Sequence, residues 1–296
     1  MFNWNDLESF LILSRKGKLN LTSKELRIES STISRRLLRL EEKLGIKLFF
    51  RSNNKYILTD DGHRLLPNAE KIESEILSIN ENFSNKDVNL TGKIRISVPE
   101  GLGIDIFTKH LKDFYDSYGE LQIELLADSR ARSLSNREID ISVTLSRPKR
   151  GKLISWKLSD YAIQLYCSNK YFEKNHKIKC IEDFKEHKFI SYIDDLVDFP
   201  ELKYLQDSFK NLKIVFKSNS LQAQLNAVKK GIGIAFLHNF IAKKDKDLIP
   251  ILPTKIKILR EYWIVVHEDL LNLKRIRVVV DFISKVMNHE KNNLRI

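Results

Sequence analysis

The sequence predicts an α/β protein built from a small helical head, one long helix and a large domain of alternating strands and helices. Three observations support this division. A short helix, a polar break and a longer amphipathic helix lie within residues 22–51. Apolar residues recur at heptad spacing from Leu65 to Phe83. Strand and helix patterns then alternate from Lys93 to the C-terminus.

The longer helix of the head has a single apolar stripe, with steps of 4, 3 and 4 residues that keep it on one helix face. The stripe consists of Ile33, Leu37, Leu40 and Leu44. An earlier amphipathic helix around Phe10 ends at Gly17, and Leu26 belongs to a short second helix. After Gly45, residues 47–51 and 56–58 flank a polar tip and predict a β-hairpin. Three helices and a hairpin predict a winged helix-turn-helix over residues 1–59.

Arginines and small hydroxyl residues lie off the apolar stripe. Arginine forms bidentate bonds with guanine or pairs with phosphate, and serine or threonine allows close approach to DNA. The predicted DNA-binding residues are Ser30, Ser31, Thr32, Ser34, Arg35, Arg36 and Arg39 in the helix, and Arg51, Asn53 and Lys55 in the hairpin. The alternative is a solvated basic helix in an ordinary helical bundle.

The long helix is predicted over residues 60–86, with Thr59 as its N-cap. Its stripe has steps of 4, 3, 4, 3 and 4 and consists of Leu65, Ala69, Ile72, Ile76, Ile79 and Phe83. A narrow stripe on a single helix predicts a partner helix, although the stripe could also pack onto the rest of the same chain. Pro67 is expected to bend or loosen the first turns.

An ordered set of short motifs runs through the head. It comprises Leu26-Arg27-Ile28-Glu29-Ser30-Ser31-Thr32-Ile33-Ser34-Arg35, Leu40-Glu41, Leu44-Gly45, Leu48-Phe49 with Arg51, Leu58-Thr59 and Gly62. In this set the chain resembles the LysR-type transcriptional regulators, and the resemblance covers nearly its whole length. It implies double-stranded DNA with an interrupted palindrome as partner. It also implies a linker helix that pairs antiparallel with that of another subunit, giving a homodimer and commonly a homotetramer.

Three positions depart from the family pattern. Glu29 stands where the family usually has a serine that caps the recognition helix, so Ser30 or Ser31 is expected to provide the cap. Thr22 and Ser23 replace a pair of alanines at the crossing of two helices. These changes bear on the DNA sequence that is read and leave the predicted fold unchanged.

After a polar hinge at residues 87–92, the alternating pattern predicts parallel sheets with helices on both faces and two lobes around a cleft. The predicted strands are Lys93–Val98, Gln122–Leu126, Ile139–Leu145, Ala162–Cys167, Phe189–Tyr192, Ile214–Phe216, Ile232–Leu237 and Tyr262–His267. The predicted helices are Ile106–Tyr115, Arg130–Asn136, Ile181–His187, Ser220–Lys230 and Leu270–Met287.

The resemblance implies a periplasmic-binding-protein-like (type 2) effector domain over residues 93–296. Lobe I is expected at about 93–160 and 262–290, and lobe II at about 161–261. Small ligands in open α/β sheets bind where strands end, so loops at strand ends are the candidates for the effector site. The predicted effector-binding residues are Pro99, Glu100, Gly101, Leu102, Asp128, Thr144, Leu145, Tyr192 and Asn219.

The first of these loops carries Glu100 where the family often has serine or threonine for a carboxylate ligand. If Glu100 and Asp128 both face the cleft, they favour a cationic or polyhydroxyl effector. Alternatively, one or both pair with Arg130, Arg132 or Arg147. His238 follows a predicted strand and could also line the cleft.

Composition agrees with these assignments. The net charge of +12 fits a nucleic-acid partner, although it is spread along the chain and not concentrated in the head. No apolar run is long enough to span a membrane and no signal peptide is evident, so a cytoplasmic protein is expected. Cys167 is expected to be buried, whereas Lys177 and Lys179 could lower the pKa of Cys180 slightly.

An enzyme is the main alternative class. The sequence contains no glycine-rich phosphate loop, no metal-ligand cluster and no serine-histidine-acid spacing of a known kind, so catalytic residues, metal and cofactor are all predicted to be absent. An architectural DNA-binding protein without a ligand is the other alternative. The large two-lobed domain argues against it, because packing DNA does not require a cleft.

Overall fold

The computed structural model describes residues 2–53, 55–83, 90–128, 138–148, 152–175, 177–202, 209 and 211–295. The chain forms two compact units. One consists of Met1–Asp87 with Asn136–Glu138, and the other of Val88–Ser135 with Ile139–Ile296. No helix in the described part of the chain is both long and apolar enough to cross a membrane.

The first unit contains the predicted three helices and hairpin. They are α1 (Trp4–Lys16), α2 (Leu19–Leu26), α3 (Ser30–Leu44), β1 (Phe49–Ser52) and β2 (Lys55–Leu58). The stripe residues Ile33, Leu37 and Leu40 are buried against Phe10 and Leu11 of α1. The winged helix-turn-helix prediction is confirmed, because the apolar stripe of α3 supplies the core of the head.

The ends of the helices agree with the sequence at two glycines and differ at Glu29. Gly17 and Gly45 end α1 and α3 with φ of 66° and 68°, a conformation that glycine adopts without strain. The expectation that Ser30 or Ser31 caps α3 is wrong. Glu29 is the N-cap, with an extended backbone and no side-chain cap bond, and α3 already begins at Ser30.

The long helix α4 spans Asp60–Phe83 and includes Pro67. Its N-terminus is built as predicted. The Thr59 hydroxyl accepts a 3.0 Å hydrogen bond from the Gly62 N–H and donates a 2.6 Å bond to the Lys47 carbonyl. Residues 84–86 of the predicted linker and residues 87–89 of the predicted hinge lie outside the described residues.

The second unit is organised around a mixed sheet of seven strands. They are β3 (Gly92–Val98), β4 (Leu121–Ala127), β5 (Ile141–Thr144), β6 (Leu153–Ser168), β9 (Ala235–His238), β10 (Leu248–Ile251) and β11 (Ile258–His267). The order is β10-β6-β11-β5-β3-β4, and β9 also pairs with β6. A separate parallel pair consists of β7 (Lys188–Ser191) and β8 (Lys213–Lys217).

The prediction of purely parallel sheets is wrong for the main sheet. β3 runs parallel to β4 and β5, but β11 pairs antiparallel with β5 and β6, and β6 pairs antiparallel with β9 and β10. The chain leaves the first part of the sheet along β6 and returns along β11, so these two long strands run in opposite directions. Only their ends at Ala162–Cys167 and Tyr262–His267 were predicted, and β10 was missed.

Helices cover these sheets. They are α5 (Thr108–Ser117), α6 (Asn169–Lys174), α7 (Leu221–Lys229), α8 (Asn239–Ala242), α9 (Lys274–His289) and α10 (Lys291–Arg295). A helical turn at Glu100–Leu102 and a π-helical segment at Gly103–Phe107 precede α5, and the predicted helix at Ile181–His187 is a 3-10 helix over Ile181–Glu186. The predicted helix Arg130–Asn136 lies outside the described residues. Below, lobe I denotes β3–β5 with α5 and α9, and lobe II denotes β7–β9 with α7.

Candidate nucleic-acid interface and ligand cleft

The first turns of α3 present small polar side chains and one arginine to solvent. Ser31 and Arg35 are exposed, while Ser30, Thr32 and Ser34 are half-buried. The Ser34 hydroxyl donates to the Ser30 carbonyl at 3.0 Å, and Arg35 Nη2 donates to Thr32 Oγ1 at 3.4 Å. Ser31 and Arg35 are therefore accessible for groove contacts near the N-terminus of this helix.

The other two arginines of α3 contact α1. Arg39 donates from Nε and Nη2 to the two carboxylate oxygens of Asp6, a residue with no exposed surface, and the Nε contact measures 3.0 Å. This hydrogen bond raises the pKa of Arg39. Arg36 Nη1 lies 3.4 Å from both the Asn5 carbonyl and the Ser9 hydroxyl. The sequence could not show these partners, because Asp6 and α3 are far apart along the chain.

The hairpin carries its predicted polar residues on its surface. Arg51, Asn53 and Lys55 are all exposed, and the Arg51 guanidinium lies 6.0 Å from the centre of the Tyr56 ring. The Phe49 ring of β1 holds the hairpin to α1 through a contact at 5.5 Å with Phe10, and it packs at 5.8 Å against Tyr56 of β2. A hairpin fixed in this way presents a defined basic tip beside α3.

The apolar stripe of α4 is only partly covered within the first unit. Ala69 is buried, but Ile72 and Ile79 are 39% and 55% exposed. The Arg15 guanidinium donates to both carboxylate oxygens of Glu73, at 2.9 and 2.6 Å, and so joins α1 to this helix. Two large apolar side chains thus remain accessible on one seam of α4.

Five of the predicted effector residues meet around one small cavity in the second unit. Pro99, Glu100, Gly101, Leu145 and Tyr192 line a space of about 20 Å³. Phe199, Leu202, Leu221 and His238 complete its wall, and of these only His238 was considered from the sequence. Leu102, Asp128, Thr144 and Asn219 are not among the described residues that line the cavity. A space of this size holds about one water molecule.

Glu100 lines this cavity, and its carboxylate is held by two hydrogen bonds. Its Oε1 accepts a 2.7 Å hydrogen bond from the Ser220 hydroxyl, and its Oε2 accepts a 2.6 Å bond from the Leu221 N–H. Both carboxylate oxygens of Glu100 thus have partners, and among the described residues these are a hydroxyl and a backbone N–H, not an arginine. Pairing of Glu100 or Asp128 with Arg130 or Arg132 stays a prediction. Arg130 and Arg132 lie outside the described residues, and Arg147 lies 5.7 Å from the centre of the Trp263 ring.

Two buried residues of the cavity wall, His238 and Tyr192, carry titratable groups. Burial lowers the pKa of His238 to about 3, so its ring is neutral near pH 7. Neither ring nitrogen has a hydrogen-bond partner among the described residues. Burial, followed by the charge of Glu100, raises the pKa of Tyr192.

A larger pocket of about 410 Å³ lies next to this cavity and shares Leu145 with it. Polar and charged residues line it: Ser146, Arg147, Asp160, Glu201, Arg260 and Glu261. Its volume lies in the range of small-molecule sites, whereas the smaller cavity has no room for an organic ligand. Another space of about 460 Å³ lies between α5 and α9, away from the predicted effector loops.

The two cysteines agree with the sequence-based expectation at Cys167 and differ from it at Cys180. Cys167 is fully buried, and burial raises the pKa of its thiol to about 12. For Cys180, the expected lowering is wrong. A hydrogen bond with Glu182 and then burial raise the pKa of its thiol. Both thiols are therefore poorly ionised near neutral pH.

Comparison with known proteins identifies both parts of the chain. Residues 89–288 match the LysR substrate binding domain, and residues 4–63 match the bacterial regulatory helix-turn-helix protein, lysR family. The uncharacterized HTH-type transcriptional regulator YkuM of Bacillus subtilis (strain 168) is 24% identical over 298 residues, covering 96% of this chain and 98% of that protein.

Two solved structures have a similar fold. A full-length OxyR variant from Pseudomonas aeruginosa gives a TM-score of 0.75 at 13% identity, covering 97% of this chain and 95% of that one. Full-length LysG from Corynebacterium glutamicum with bound effector Arg gives a TM-score of 0.70 at 15% identity, covering 97% and 99%. Both similarities extend over the head and the large domain.

Proposed function

The chain belongs to the LysR family of transcriptional regulators, and we propose that it binds an interrupted palindrome in double-stranded DNA as a homo-oligomer. The observation that carries this proposal is the geometry of α3. Its buried stripe fixes the helix in the head, while Ser31 and Arg35 are exposed near its N-terminus. That is the end of a recognition helix that contacts bases in the major groove.

The remaining predicted DNA-binding residues have different tasks in this proposal. Arg51, Asn53 and Lys55 contact backbone phosphates or the minor groove from the hairpin tip. Ser30, Thr32, Ser34 and Arg36 allow close approach or contact phosphate. Arg39 already donates two hydrogen bonds to Asp6, so its main task is to orient α3 against α1.

The exposed seam of α4 supports a homodimer. Ile72 and Ile79 present apolar surface on a helix of 24 residues, and a second copy of that helix would cover it. Two heads held in this way would contact two half-sites, and pairs of dimers would form a tetramer. Light scattering that finds a monomer at micromolar concentration would contradict the proposal.

The large domain supports control by a small-molecule effector in the cytoplasm of a bacterium. LysG, one of the proteins with this fold, was solved with an effector bound. In this chain the pocket of about 410 Å³ has the room for such a molecule, and Leu145 connects it with the cavity at the predicted loops. The ligand must favour one arrangement of the domain over another, since equal binding to both would shift nothing.

A nuclease footprint on the DNA upstream of the protein's own gene tests this function. Protection of an interrupted palindrome would establish sequence-specific binding and provide a probe for an effector screen. A genome-wide binding selection extends the test to distant operators. If both show only salt-sensitive binding without sequence preference, the protein acts as an architectural DNA-binding protein and the proposed function is wrong.

A further inference from the structure

The Glu100 side chain connects the two lobes of the large domain. Glu100 follows β3 of lobe I, whereas Ser220 and Leu221 begin α7 of lobe II. Both carboxylate oxygens accept hydrogen bonds across this boundary, one from the Ser220 hydroxyl at 2.7 Å and one from the Leu221 N–H at 2.6 Å. Charge-assisted hydrogen bonds of this length are among the stronger ones in proteins.

The groups that hold this carboxylate form an anion position. Helix α7 has nine residues, and Ser220 is its N-cap, accepting from the Ala223 N–H at 3.2 Å. The first N–H groups of a helix have no partner within the helix and lie at the positive end of its dipole, which favours a negative charge. In this chain the anion there is a side chain of the same molecule.

A second feature of this place is independent of the helix. His238 lines the same cavity as Glu100, is 3% exposed, and has no hydrogen-bond partner for either ring nitrogen among the described residues. A buried polar group without a partner is costly, and such groups mark places where a ligand or water can bind. Gly101 allows the close approach, because a Cβ there would lie 2.8 Å from a Leu221 methyl and 3.4 Å from His238 Nδ1.

We infer that Glu100 is a built-in carboxylate ligand, which occupies the anion position at the start of α7 and holds the two lobes together without an external effector. Because Glu100 is tethered beside the site, its effective concentration there exceeds that of a free carboxylate in solution. The native protein therefore does not bind small carboxylates at this position, and its effector acts from the neighbouring pocket of about 410 Å³.

This inference deepens the proposed function, since it concerns the same effector cleft, but its physical test does not depend on DNA. Removing the Glu100 side chain should leave a vacant site that a small carboxylate can enter. Full-length wild type and Glu100→Ala are melted with increasing sodium acetate, against sodium chloride at matched ionic strength and against neutral acetamide. Asp105→Ala is the matched control, because Asp105 lies nearby but its carboxylate contacts only Lys244, at 3.4 Å, among the contacts of the described residues.

The expected result is a saturating rise of roughly 3 °C in the melting temperature of Glu100→Ala with acetate alone. Wild type and Asp105→Ala should show no change beyond the chloride control. The inference is overturned if a folded Glu100→Ala gains nothing from acetate, if acetamide stabilises it equally, or if wild type responds to the same extent.

A second measurement covers the case in which Glu100→Ala does not fold. Glu100→Gln keeps the side-chain volume but removes the charge, and hydrogen exchange is followed on the peptide that contains Leu221. Faster exchange than in wild type would support the inference, and unchanged exchange would overturn it. Nuclease footprints with the same proteins are separate, so failure to bind a specific DNA site would count against the proposed function alone.

Discussion

Arg39 of α3 donates two hydrogen bonds to the fully buried carboxylate of Asp6 in α1. This pair fixes the angle between the helix predicted to enter the major groove and the helix behind it. It also satisfies a charge that would otherwise be buried without a partner, which is strongly unfavourable. The half-exposed Arg39 thus orients α3 against α1 and also lies on the predicted DNA-binding surface.

If Arg39 acts mainly through Asp6, then Asp6→Asn and Arg39→Ala should weaken DNA binding to a similar extent. The double variant should be no weaker than the weaker single variant, because both substitutions disrupt the same interaction. Fluorescence anisotropy with the footprinted operator would measure the three affinities. Additive losses, or a loss in Arg39→Ala alone, would mean that Arg39 contacts DNA directly.

Arg35→Ala should weaken binding to the specific site by about 1–3 kcal/mol, the range for loss of one good base contact. Arg35 is exposed, so the fold should tolerate the change. The affinity for unrelated DNA should change much less, which separates base reading from general electrostatic attraction. Lys43→Ala, an exposed cation at the other end of α3, is the matched control and should retain specific affinity. Equal losses on specific and unrelated DNA would contradict base reading by Arg35.

Arg51→Ala should reduce affinity for all DNA sequences alike. Arg51 lies at the exposed hairpin, where a phosphate contact releases counterions and adds about one unit to the salt slope. Binding measured between low and moderate salt should therefore show a slope smaller by about one. A sequence-dependent loss with an unchanged slope would assign Arg51 to base or groove recognition instead.

Ile79→Asp should weaken self-association while leaving the folded subunit intact. Ile79 is 55% exposed in the single chain, so its replacement removes little internal packing, but a charge on the seam would be buried against a partner helix. Light scattering should show a lower mass for this variant at micromolar concentration. Glu75→Ala, an exposed position off the seam of the same helix, should keep the wild-type mass. An unchanged mass for Ile79→Asp would place the subunit contact elsewhere.

Predictions from local sequence patterns were most accurate in the head. The stripe of α3, Gly17 and Thr59 each depend on neighbours within a few residues, and the structure places them as expected. Glu29 shows the limit of such rules. An N-cap position requires an extended backbone, and a residue without a capping bond can occupy it.

Contacts between distant segments could not be predicted in the same way. The antiparallel pairing of β6 with β11 joins residues about a hundred positions apart, so alternation along the sequence suggested parallel strands only. The partner of Glu100 lies 121 residues away at Leu221, and a charge rule that considered arginines alone missed a backbone N–H as the partner. Three residues of the small cavity's wall, Phe199, Leu202 and Leu221, were likewise missed, because apolar side chains carry no chemical signal in the sequence.

His238 should make the large domain sensitive to acid. Burial lowers its pKa from 6.5 to about 3, so the unfolded chain takes up a proton below pH 6.5 that the folded chain does not. Acid therefore destabilises the folded domain: its free energy of unfolding falls as the pH drops from about 6.5 towards 3. Each pKa unit corresponds to about 1.4 kcal/mol, which gives a loss of about 2 kcal/mol between pH 7 and pH 5.

Replacing His238 with leucine removes this proton uptake and should reduce the acid sensitivity by that amount. Urea unfolding at pH 7 and pH 5, followed by circular dichroism, would compare wild type, His238→Leu and the exposed-site control His63→Gln. Glu100 and the tyrosines around His238 remain in wild type and in both variants, so their contributions to the pH dependence cancel when the proteins are compared. Because leucine fills the space of the ring less well, His238→Leu should be less stable than wild type at pH 7. The difference between their free energies of unfolding should be smaller at pH 5. An identical pH dependence in all three proteins would show that the His238 ring is protonated without penalty in the folded state.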